Sequence, residues 1–173
     1  MTSFVSDLGV SSWIVANWIE IIRLLHVLGA CVLIGTGAGI AFFMVMANRS
    51  KNPASIAHTA ETVVIADMVF TATAAIAQPI TGGILAWGLG WSLWDGWIAT
   101  SLGLYVFIGV FWLPVVAIQA KMRDEARACA QSNAPLSKRY LLLYRIWFAC
   151  GVPAFGAIIA LLWLMITKPA ITF

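Results

Sequence analysis

Four stretches of this chain are almost unbroken apolar sequence, and its polar residues are bunched between them. The first runs from about Asn17 to Ala47 and reads NWIEIIRLLHVLGACVLIGTGAGIAFFMVMA. The second spans about Glu61–Trp87, the third about Trp97–Gln119 and the fourth about Tyr140–Thr167. A helix needs roughly twenty apolar residues to cross the hydrocarbon core of a bilayer, and each stretch reaches that length. The pattern predicts an all-α fold: an integral membrane four-helix bundle forming a single transmembrane domain over residues 1–173. Pro53 suits the first turn of the second helix. The segment GLGWSLWDG reads as a turn, and KMRDEARACAQSNAPLSKR reads as a connection with partial helical character.

Composition agrees with the pattern. Of 173 residues, 62% are hydrophobic and 10% charged, against about a quarter charged in soluble domains. The net charge of +3 is a topology signal and not a nucleic-acid footprint. Arg49, Lys51, Lys121, Arg123, Arg127, Lys138 and Arg139 fall in two connections on one side, while the other side holds Lys168 beyond the helix ends. Basic loops stay in the cytoplasm, so both termini are expected outside (N-out/C-out), with residence in a bacterial inner membrane. Trp13, Trp18, Trp87, Trp91, Trp94 and Trp97 gather at the opposite end, as an interfacial belt does. Met1–Ala16 contains no Lys or Arg before the first apolar run. The first helix is therefore expected to be an uncleaved anchor.

Polar residues inside the spans are the candidates for chemistry, because charges at such depth are costly and turn towards the bundle interior. Counting from helix ends at about 1.5 Å per residue puts Glu20, Arg23, His26, Gln78 and Tyr105 at a common depth in the outer leaflet. The same counting pairs Asp67 with Arg145 nearer the cytoplasm, as an intramembrane ion pair. Gly35 and Gly39 give the small-xxx-small spacing that lets helices approach closely. Pro79, Pro114 and Pro153 free the carbonyls of Ala75, Val110 and Ala149. Freed carbonyls either mark ordinary bends or line a cavity.

His26 and His58 are the two histidines. His58 belongs to the cytoplasmic end, on the order of 20 Å or more from His26, so one haem cannot take both from one subunit. Cys31 and Cys150 fall in spans as packing residues, and Cys129 is expected unpaired in a loop. No CxxC, CxxCH or Cys/His run points to zinc, iron–sulfur or covalent haem.

The runs LHVLGACVLIGTGAGIAFF, QPITGG, FWLPVVAIQAKM and YRIWFACGVPAFGAIIALLWLMITKP resemble the bacterial predicted integral membrane protein family called domain of unknown function 2269. The similarity covers nearly the whole chain. Its most specific part is carried by Trp147, Phe148, Gly151, Pro153, Ala154, Phe155, Leu164, Met165, Lys168 and Pro169. A weaker resemblance, through Leu25, His26 and the glycines that follow, is to HemJ-type and CopD-type small membrane proteins. It implies haem b with His26 as the iron ligand.

Three functions are compatible with these residues. One is a haem-binding redox module centred on His26. Another is a small transporter or permease subunit using Glu20, Arg23, His26 and Asp67, with a homodimer formed across Gly35 and Gly39. The third is a structural or accessory subunit of a membrane complex. Catalytic residues, and whether the chain is an enzyme at all, are not indicated. Membrane lipids and a homodimer or membrane-complex partner are the expected partners, and nucleic acid is not.

Overall fold

The computed structural model describes the backbone of residues 2–172 and the side chains of residues 13–172. The stretch Met1–Ala16, whose lack of Lys and Arg underlies the expectation that the first helix is an uncleaved anchor, falls largely outside the described side chains. The chain is all-α, with four long helices: α1 (Thr2–Ser50), α2 (Pro53–Gly88), α3 (Gly96–Gln131) and α4 (Lys138–Thr167). All four are long and apolar enough to cross a membrane. Each contains one of the four apolar stretches, so the membrane four-helix bundle expected from the pattern is what forms.

The connections are shorter than the polar sequence suggests. Between α1 and α2 only residues 51–52 lie outside the helices. The Asn52 carboxamide oxygen accepts from the backbone N–H of Ala54 at 3.0 Å and Ser55 at 3.4 Å, and Pro53 fills the first turn. A cap and a proline at that place start a helix at once. Ser137 does the same for α4, accepting from Tyr140 N–H at 3.0 Å while its hydroxyl donates to Glu125 Oε2 at 2.8 Å. The second basic connection shrinks because α3 continues to Gln131, and Cys129 lies buried on that extension instead of in a loop.

At the basic end all four helices close together. Met44, Ile56, Met122 and Tyr140 are the largest fully buried side chains, with Ala60 and Ala126 between them. Tyr140 donates its hydroxyl to Asn48 Oδ1 at 3.2 Å. Glu61 meets Arg127 at 3.0 Å, and Glu125 meets Arg139 at 3.3 Å. Outward faces are apolar: Val106 and Val110 share one side of α3, and Ile65 and Val69 one side of α2. Water would not tolerate such faces, whereas lipid covers them without cost.

The helix α2 changes partner halfway along. Its first part, Pro53–Ala66, packs on α3 and α1. Its last part, Ala72–Gly88, lies on α1. Between them Asp67–Thr71 forms a π turn, in which the Ala72 N–H reaches back to the Asp67 carbonyl. Such a turn adds one residue to the helix and rotates the segment beyond it. Above it the bundle forks into an α1–α2 arm and an α3–α4 arm.

Candidate functional site

The fork holds a partly open cavity of about 1070 Å³. Its floor is the π turn. Asp67 is 3% exposed, and its carboxylate accepts from Trp112 Nε1 at 3.3 Å through Oδ1. With the Gln119 carboxamide oriented to satisfy its neighbours, its nitrogen donates to Asp67 Oδ2 at 3.1 Å and its oxygen accepts from Trp147 Nε1 at 3.2 Å. Three helices are thus joined by one chain of hydrogen bonds at the point where they begin to part. The buried hydroxyl of Thr71, at the end of the π turn, has no hydrogen-bond partner.

The walls carry large apolar side chains such as Ile34, Ile108, Phe148 and Phe155, interrupted by residues with little or no side chain. Gly37 on α1, Gly109 on α3 and Gly151 on α4 all line the cavity. A Cβ placed on any of the three would find nothing within 4 Å. These glycines therefore do not serve a close helix crossing; they hold space open. Ala30, Ala38, Ala75 and Ala154 extend the same lining. Gly35 and Gly39 likewise have no neighbour within 4 Å of a Cβ, so their small-xxx-small face is not used within the chain.

Towards the aromatic end Gln78, Pro79 and Tyr105 line the cavity, with Pro79 inside its helix. The carbonyl of Ala75, which loses its helical partner to that proline, accepts the Tyr105 hydroxyl from α3. One freed carbonyl is thereby satisfied across the fork. Nearby, Gln78 Nε2 donates to the His26 carbonyl at 2.8 Å, and His26 Nδ1 is hydrogen-bonded to Thr81 Oγ1 at 2.8 Å. Gln78 lies over Gly29 and the His26 ring over Gly82, where a side chain would intrude.

Beyond this lies a second chamber of about 390 Å³, which shares Gln78, Pro79, Tyr105 and Leu161 with the first. Arg23, His26, Trp91, Trp97, Met165 and Lys168 line it. The two chambers adjoin, the first lined mainly by apolar residues and the second carrying Arg23 and Lys168 at the aromatic end.

Of the outer cluster expected from helix depth, Arg23, His26, Gln78 and Tyr105 do share this second chamber. Glu20 does not line it. That carboxylate stays on the α1 surface, paired with Arg23 at 2.8 Å, with the two side chains 62% and 49% exposed. The inner pair is corrected more fully. Asp67 and Arg145 do not meet: Arg145 is exposed on α4, and among the described residues no ion pair includes either group. Trp147 is the α4 residue that turns inwards. Arg145, two positions earlier, is about 200° away around the helix. Matching depth does not establish a shared face, and a basic side chain near a helix end can reach the interface along its own stem. His58 is exposed in the first turns of α2, clear of both chambers.

The residues that complete the site were not among the candidates. Gln119 and Trp147 carry a hint in sequence: a carboxamide inside an apolar run, and an indole far from the aromatic belt. Thr71 and Gly109 give none, whereas Thr81 falls at the depth of His26 when residues are counted from the helix ends. Residues 20–169 match a family described as a predicted integral membrane protein, DUF2269, and the chain belongs to that family. No curated protein and no solved structure matches it.

Proposed function

We propose that this member of the family is a binding protein for an amphipathic molecule dissolved in the membrane, which it takes from the bilayer into the fork between its two arms. The observation that carries this reading is the cavity of about 1070 Å³ kept open by glycines on three helices. Ligand sites are typically concave, mostly apolar and about 300–1,000 Å³, with a few fixed polar groups. The Asp67–Gln119–indole floor and the Gln78–Tyr105 rim supply those groups.

The lysine and arginine bias supports an orientation in a bacterial inner membrane with the basic end in the cytoplasm. Both termini and the second chamber then face the periplasm. Cysteines placed singly at Ser92 and Ser132 distinguish this from the reverse by labelling from each side.

Mass spectrometry of molecules extracted from the purified protein tests the binding reading. Wild type is expected to retain about one amphiphile per chain. The variant carrying Gly109→Phe and Gly151→Phe should lose it while keeping its unfolding temperature, since the added rings enter open space. Equal content in both would remove the cavity as the site.

A second reading takes its support from His26. The bond from Nδ1 to Thr81 fixes the ring and leaves its other nitrogen for a ligand, as outer-shell partners do for metal-bound histidines. A haem b held by His26 would supply one-electron chemistry. A Soret band that disappears in His26→Ala is the expected sign, and a colourless protein from haem-replete cells counts against this reading alone.

A further inference from the structure

We infer that the bound amphiphile is anionic, with its headgroup in the second chamber beside Lys168 and Arg23 and its apolar chain reaching down into the larger cavity. This rests on the binding reading above and adds the headgroup class to it. The two chambers adjoin and share Gln78, Pro79, Tyr105 and Leu161 in their linings, so the inferred molecule would pass between these side chains.

The charge is one-sided. The second chamber is lined by Arg23 and Lys168, and among the described residues its lining includes no Asp or Glu. Arg23 is partly offset by Glu20 on the same helix, at 2.8 Å. Lys168 has no carboxylate partner among the described residues. Instead its ammonium stands 4.3 Å from the centre of the Trp91 ring and 5.7 Å from that of Trp97. An ammonium resting on indole faces is held by their quadrupoles and keeps its N–H groups for another acceptor.

Several independent pieces of backbone build that seat. Gly90, at φ 69°, ends α2 in a conformation that suits glycine, and the Trp91 N–H returns to the Ala86 carbonyl at 2.8 Å. Trp91 and Trp97 then pack edge to face, 5.3 Å apart. Lys168 itself closes α4 in the left-handed region, at φ 43°. The tail after it crosses the start of α3, where the Ile171 carbonyl lies against Gly96 and a Cβ would collide with it. A lysine that served only as a loose interfacial anchor would not need its ammonium located by two rings and a crossing tail.

The test is native mass spectrometry of the whole chain in an uncharged detergent, titrated with phosphatidylglycerol and phosphatidylcholine of identical acyl chains. One basic side chain near a membrane surface corresponds to about a fivefold preference for an anionic lipid, so phosphatidylglycerol is expected to bind about fivefold more tightly. Lys168→Gln should reduce that preference to less than about twofold while phosphatidylcholine still binds, and Lys168→Arg should retain it. The Gly109→Phe, Gly151→Phe variant should bind neither lipid. Equal binding of the two lipids to wild type, or an unchanged preference in Lys168→Gln, overturns the anionic headgroup and leaves the cavity reading intact. Equal lipid binding by wild type and the filled variant overturns both. Inorganic phosphate that raises the unfolding temperature as much as phosphatidylglycerol would mean that the chamber takes a free anion, which also overturns the proposal.

Discussion

The two halves of this bundle use opposite kinds of residue at equivalent positions. Towards the basic end the helices meet through Met44, Ile56, Met122 and Tyr140, each almost wholly buried. Towards the aromatic end the inward positions of the same helices include Gly37, Gly109, Gly151 and Ala75 among larger apolar residues, and they face a cavity. Asp67 marks the border. One half is a folding anchor, and the other is a container whose walls gain little from each other. The difference shows that apolar character alone does not define a core. Side-chain volume decides whether facing helices touch.

The most severe way to break this comparison is to hollow out the anchor. Tyr140→Ala removes a buried ring from the junction of α1 and α4 and leaves the Asn48 carboxamide without its donor. Large-to-small changes of this kind cost about 3–5 kcal/mol. Unfolding in detergent, followed by circular dichroism, should show a loss of that size, and Tyr140→Phe a loss of about 1 kcal/mol for one hydrogen bond. If Tyr140→Ala behaved like wild type, the packed end would not be what holds the fold.

The border is the next test. Asp67→Leu strips the acceptor from Trp112 and Gln119, and buried donors left unpaired cost about 1–3 kcal/mol. Arg145→Leu removes an exposed side chain with no partner near Asp67 and should stay within about 0.5 kcal/mol of wild type. The double variant should equal the sum of the two to within about 0.5 kcal/mol. A larger coupling, read from the same unfolding curves, would restore the ion pair and move Arg145 to the interior.

Much of this was legible in the chain. The four helices follow from apolar runs of sufficient length, and the common end of the basic residues follows from their spacing. The depth of His26, Gln78 and Tyr105 could be counted from the helix ends, and the freed Ala75 carbonyl could be named from Pro79. What depth could not supply was azimuth. The π turn at Asp67–Thr71 adds a residue to the helix count, and nothing in DMVFT announces it, so faces beyond it are rotated away from a simple 3.6-residue count. The glycines were ambiguous for a different reason. A small residue permits a close crossing and an open space equally well, and only the position of the facing helix tells them apart.

The smallest expected effect separates those two uses of glycine within one molecule. Gly151 faces open cavity, with nothing within 4 Å of a Cβ, whereas at Gly29 a Cβ would run into the Gln78 carboxamide. Alanine in a helix interior is favoured over glycine by roughly 0.5–1 kcal/mol. Gly151→Ala should therefore raise stability by about that amount, since the methyl group meets no obstacle. Gly29→Ala gains the same helix propensity but pushes Gln78 Nε2 away from the His26 carbonyl, a hydrogen bond of 2.8 Å. Losing that bond costs about 1 kcal/mol, so the two effects cancel and no gain is expected. Paired unfolding temperatures in one detergent decide the matter. A gain at Gly29 equal to that at Gly151 would mean that Gln78 is not seated on α1. A loss at Gly151 would be more informative still, because it would show that the cavity wall is covered in the folded protein by something that the extra methyl displaces. The filled Gly109→Phe, Gly151→Phe variant would then identify the cover: if it is the bound amphiphile, the loss should disappear once the cavity can no longer hold it.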